Sequence, residues 1–70
     1  MRSNARLPKV IGKAIEKKRK TIKLTQEELA ERVGISRAYM GFIEQGRNTP
    51  SLEVLEKIAR VLRVKVSDLF

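Results

Sequence analysis

Residues 25–45 read TQEELAERVGISRAYMGFIEQ, and the fold turns on them. Thr25 followed three residues later by Glu28 has the form of a capping box: the hydroxyl accepts from the third backbone N–H, and the carboxylate reaches back to the cap's own N–H. At about 100° per residue, Leu29, Ala30 and Val33 share one arc, while Glu27, Glu28 and Glu31 face the other way. Those acids also stand near a helix N-terminus, where the macrodipole favours negative charge. Gly34 ends the helix as a left-handed residue does. Ser36 is an N-cap candidate for the next helix, over about 36–45, in which Met40 and Ile43 form the core stripe. The opposite face carries Ala38, Gly41, Phe42 and Gln45, with Arg37 on its border. An ordinary solvated face would be rich in Lys and Glu, and this one is not.

To the N-terminal side, residues 1–7 lack apolar periodicity and read as a basic arm. Pro8 suits the first turn of a helix, where its missing N–H costs nothing. From there Val10 or Ile11, Ala14, Ile15 and Ile22 recur at helical spacing. To the C-terminal side, QGRNTPS is a loop of turn residues. Ser51 caps a fourth helix with Leu55, Ile58, Ala59 and Leu62 along its core seam. Val54 and Val61 widen that arc beyond what one core stripe requires. Ser67 is expected to cap a last short turn, SDLF. No segment alternates as a strand. The expectation is an all-α fold: a single domain over 8–70, a bundle of about five helices, preceded by the arm over 1–7.

Composition narrows the function. The 70 residues include no Cys and no His, which removes disulfides, thiolate chemistry and the commonest metal ligands. With the carboxylates scattered over exposed faces, an enzyme is not expected, nor a metal or cofactor. No membrane-length apolar run or signal segment is present, and the lack of Cys suits a reducing cytosol, or the nucleoid in a prokaryote. Sixteen Lys and Arg face eight Asp and Glu, a formal charge of +8. The excess sits in residues 1–24, where Arg2, Arg6, Lys9, Lys13, Lys17, Lys18, Arg19, Lys20 and Lys23 meet one acid, Glu16. Such a balance points to a polyanion, either nucleic acid or an anionic membrane surface.

The twenty residues from Gln26 to Gln45 resemble the helix-turn-helix of the lambda-repressor-like (Cro/cI-type, XRE-type) DNA-binding family. Leu29, Val33, Ile35, Met40 and Ile43 fall on its apolar positions, Ala30 on its small residue and Gly34 on its turn glycine. The likeness runs on through GRNTPSLEVLEKIA to SDLF, and within the family SRAYMGFIEQGRN looks most like restriction–modification controllers and short phage or plasmid repressors. The resemblance implies a transcriptional regulator, such as a repressor, that lays its third helix in the major groove of double-stranded DNA and binds as a homodimer on two half-sites.

Residue roles follow from the same likeness. Arg37 is the first choice for a base reader, since Arg can bond the O6 and N7 of guanine as a fork; a phosphate contact is its alternative. Ala38 and Phe42 match base-facing positions, where either could touch a thymine methyl; Phe42 could instead fold back or enter a dimer surface. Gly41 either faces a base or only permits close approach. Thr25, Gln26 and Ser36 match phosphate clamps; for Thr25 and Ser36 the alternative is that each is a cap only. The Tyr39 hydroxyl, Arg47 and Asn48 fit backbone contacts, and Arg2 and Arg6 could follow the groove. Arg19 and Glu44 match a structural salt bridge of the family. Val54, Val61, Leu69 and Phe70 are the dimer candidates. Lys23 and Arg63 depart from the pattern, standing where the family usually has a glycine after helices one and four. A protein-interaction module, such as a toxin-neutralising subunit, is the competing reading.

Overall fold

The computed structural model describes the backbone of residues 3–70 and the side chains from Arg6 onward. Four α-helices and a closing 3-10 turn follow in order: α1 Ser3–Thr21, α2 Gln26–Val33, α3 Arg37–Glu44, α4 Leu52–Leu62, and the turn Val66–Leu69. The fold is all-α, with four α-helices where about five helices had been expected.

Three of the caps, Thr25, Ser36 and Ser51, are those written in the sequence. The Thr25 hydroxyl accepts from the Glu28 N–H at 3.0 Å and the Glu28 carboxylate accepts from the Thr25 N–H at 2.8 Å. That pair of bonds with Thr25, through its backbone first, holds the Glu28 carboxyl below its ordinary range. Ser36 and Ser51 accept from the N–H groups of Tyr39 and Val54. The last turn differs from expectation. Ser67 lies inside it, and Lys65 takes the cap position, with its N–H donating to the Asp68 carboxylate at 3.0 Å.

All four helices stop in the same way. A left-handed residue follows each, and the N–H after it reaches back five residues: Leu24 to Arg19, Ile35 to Ala30, Arg47 to Phe42, Val64 to Ala59. This is the Schellman closure. Gly34 (φ 90°) and Gly46 (φ 77°) occupy two of the left-handed positions without strain, whereas Lys23 (φ 63°) and Arg63 (φ 61°) hold the other two as non-glycine residues. Leu24, Ile35 and Val64 then turn inward against the core.

The core draws on every helix: Ile11 and Ile15 from α1, Leu29, Ala30 and Val33 from α2, Met40 and Ile43 from α3, Leu55, Ile58, Ala59 and Leu62 from α4, with Leu69 from the last turn. Burying an aliphatic side chain of this size contributes about 1.5–3 kcal/mol. Three expectations need correction. α1 begins at Ser3, so Pro8 lies inside it and the arm expected over 1–7 is helical from Ser3; residues 1 and 2, including Arg2, lie outside the described residues. Ile11, not Val10, enters the core, and Ile22 falls past the helix end and stays 37% exposed. Leu24, one step after the left-handed Lys23, packs inward instead. Leu69, the last residue of the turn, is only 2% exposed and belongs to the core, while Phe70 just beyond it is 60% exposed, so Leu69 is withdrawn from the dimer candidates.

Candidate nucleic-acid interface

Local chemistry presents α3. Gly34 reverses the chain, its N–H and that of Ile35 both returning to the Ala30 carbonyl at 2.8 and 3.0 Å. Ile35 pins the turn to the core, and Met40 and Ile43 seat α3 on it with no exposure. The other side of α3 is left open. There Arg37, Ala38, Gly41, Phe42 and Gln45, together with Gln26 from α2, line a shallow depression of about 270 Å³. The structure therefore gathers in one place the four residues expected to read bases and one of the expected clamps.

Within that face the residues are not equally free. Arg37 and Ala38 are exposed on the first turn of α3, and Phe42 is 40% exposed. Gly41 is buried: a Cβ there would touch the Gln26 amide at 3.6 Å, so this glycine lies beneath Gln26. Phe42 carries the Arg47 guanidinium 4.8 Å from its ring centroid, an arrangement favoured by the negative face of the ring. Arg47 also donates to the Gln45 amide oxygen at 3.4 Å. Tyr39 is half-buried, its ring packed against the core. Thr25, Ser36 and Asn48 are exposed at the margins, the first two engaged as caps.

Arg19 and Glu44 lie behind this face. Arg19 Nε donates to Glu44 Oε2 at 2.7 Å and Nη2 to Oε1 at 3.0 Å, while Nη1 donates to the Leu24 carbonyl at 2.8 Å. Both residues are buried, and the bond to Glu44 is the first cause of an Arg19 pKa raised above its ordinary value. Gln26 Nε2 donates to Glu44 Oε1 at 3.0 Å. One carboxylate thus ties α1, the start of α2 and the end of α3 together. Gln26 enters the site already oriented, a role its likeness to a phosphate clamp did not reveal.

The ion pairs among the described residues are Arg19–Glu44, Lys20–Glu16 and Lys57–Glu53. Arg37 and Arg47 belong to none of them. Among the described residues no cluster of side chains could hold a metal ion, and no helix is long and apolar enough to cross a membrane. Of the dimer candidates, Val54 and Val61 are half-buried along α4 and Phe70 is exposed, as is Leu52 at 63%.

Two short helices joined by a left-handed glycine, the second resting on the first and on α1 while offering a free polar-edged face, define a helix-turn-helix domain. A helix-turn-helix family model matches residues 15–69, and the chain belongs to that family. It is 46% identical over 56 residues to an uncharacterized HTH-type transcriptional regulator of Archaeoglobus fulgidus, covering 80% of this chain and 79% of that protein. Among solved structures it is similar to the restriction–modification controller protein C.AhdI from Aeromonas hydrophila, with a TM-score of 0.86 and 32% identity over 90% of this chain and 96% of that one. It is also similar to the biofilm master regulator SinR in complex with DNA, with a TM-score of 0.80 and 38% identity over 84% of this chain and 95% of that one.

Proposed function

We propose that this protein is a sequence-specific transcriptional regulator that binds double-stranded DNA through α3 in the major groove, as a two-fold dimer on paired half-sites. The observation that carries this reading is the open face of α3, where Arg37, Ala38 and Phe42 stand clear of the core around a common depression. The major groove of B-DNA is about 12 Å wide and admits one helix, whose side chains meet base edges with a distinct donor and acceptor pattern. In this reading Arg37 forks onto a guanine and Ala38 and Phe42 meet thymine methyls, in keeping with their exposure on the open side of α3. Gln26, held by Glu44, and Arg47, held over Phe42, flank the reading face as phosphate contacts, with Thr25, Ser36, Tyr39 and Asn48 around them. Two relatives support the assignment: one is named a transcriptional regulator, and the other was solved with DNA.

Selection of bound duplexes from a randomised pool, followed by a salt titration on the winner, tests this. A symmetric pair of half-sites is expected, with log K falling by roughly 0.9 per phosphate contact for each unit of log salt. Failure to enrich any sequence, or a flat salt response, would leave the toxin-neutralising alternative as the better account.

A further inference from the structure

α1 crosses the end of α3 at two glycines. A Cβ on Gly12 would strike the backbone carbonyl oxygens of Ile43 and Glu44, the second at 2.6 Å. A Cβ on Gly46 would lie 2.8 Å from the Lys9 Cα. Backbone therefore rests on backbone at both crossings, and this part of α1 is fixed beside the recognition helix. Lys9 and Lys13, one helical turn apart, project from that mount. With Glu16, Gln26, Glu44 and Gln45 they line a depression of about 470 Å³. Gln26 and Gln45 also line the depression on the α3 face, so the two surfaces are continuous.

No acid beside the basic side chains of this surface is left without a cationic partner of its own. Arg6, Lys9, Lys13 and Lys17 follow one another along α1 at intervals of three or four residues, a spacing at which like charges repel and weaken a helix. The two acids nearby are engaged elsewhere, Glu16 by Lys20 at 3.1 Å and Glu44 by Arg19 at 2.7 Å. Neither Lys9 nor Lys13 belongs to an ion pair among the described residues. Their separation along the helix axis is about 6 Å, so their long side chains can reach neighbouring phosphates of one strand.

We propose that Lys9 and Lys13 seat phosphates of the same duplex that receives α3, so that the DNA interface extends past the helix-turn-helix onto α1. The inference rests on the function proposed above and adds to it a second, sequence-independent contact surface. It is tested by titrating a mixed-sequence duplex and the selected duplex with salt, using the unaltered protein, Lys9→Gln/Lys13→Gln, and a control, Lys57→Gln/Lys65→Gln, that removes the same charge elsewhere. For the α1 pair, the slope of log K against log salt is expected to fall by about 2 on both duplexes, with base preference unchanged. The control should keep most of the slope, and Lys9→Arg/Lys13→Arg should restore it. An unaltered slope in the α1 pair, or an equal loss in the control, overturns the inference while leaving the regulator reading intact. A flat response in the unaltered protein removes both.

Discussion

Arg37 is exposed at the front of α3 and engaged by no carboxylate among the described residues, which leaves its guanidinium available for the base contact proposed above. Arg37→Ala is expected to cost about 1–3 kcal/mol on the cognate duplex and to relax preference at one base pair; uniform weakening across unrelated duplexes would make it a phosphate contact. Glu44 poses a different problem. It receives donors from Arg19 and Gln26 while buried to 6% exposure. Glu44→Ala leaves the Arg19 guanidinium buried with only the Leu24 carbonyl as partner, and one-sided loss of a buried pair costs on the order of 3 kcal/mol. Urea unfolding measures this. Replacing both partners with apolar residues should cost less, because no charge is then stranded.

At the scale of elements, the shared closure of the four helices makes a comparison possible. Arg63 holds the position after α4 at φ 61°, where a side chain costs about 1–2 kcal/mol. Glycine relieves that strain but loosens the unfolded chain by roughly 0.5–1 kcal/mol. Arg63→Gly is therefore expected to stabilise the protein by about 0.5–1 kcal/mol, read as a rise in Tm. Gly12 works in the opposite sense. In an exposed helix, Gly→Ala gains about 1 kcal/mol. Here the new methyl meets two backbone carbonyls that cannot swing aside, and overpacking of about 1–3 kcal/mol outweighs the propensity gain. A lowered urea midpoint is the expected result, and a raised one would show that α1 can shift away from α3.

For the whole molecule, a 70-residue module offers little area for specificity, and doubling it through a two-fold axis places two recognition helices about one DNA turn apart. Leu52 and Phe70, at the start of α4 and just beyond the last turn, are the most exposed of the large apolar side chains among the described residues, and on the dimer proposed above they would supply the contact together with Val54 and Val61. Phe70→Lys is expected to reduce the sedimenting species to a monomer and to lower affinity for a symmetric site toward that for one half-site. A wild-type protein that remains monomeric on a symmetric duplex at micromolar concentration would sink the dimer.

Most of the local structure was legible in the sequence, the start of α1 and the cap of the last turn excepted. Thr25, Ser36 and Ser51 start their helices and Gly34 turns the chain because caps and left-handed turns need only near neighbours. Met40 and Ile43 fall inward because a helical period sorts residues within a few turns. The open face of α3 was legible for the same reason. Which surfaces meet was settled by packing across the chain. Gly12 sat unremarked in a helical pattern until α3 crossed it, and Lys9 and Lys13 were simply basic residues until that crossing set them beside Gln26 and Gln45. Leu69 and Phe70 looked alike as apolar ends, and the packing of the last turn against α1 and α4 buried one and left the other in water. Such contacts join residues far apart in the chain, and no local pattern encodes the backbone that will come to lie against them.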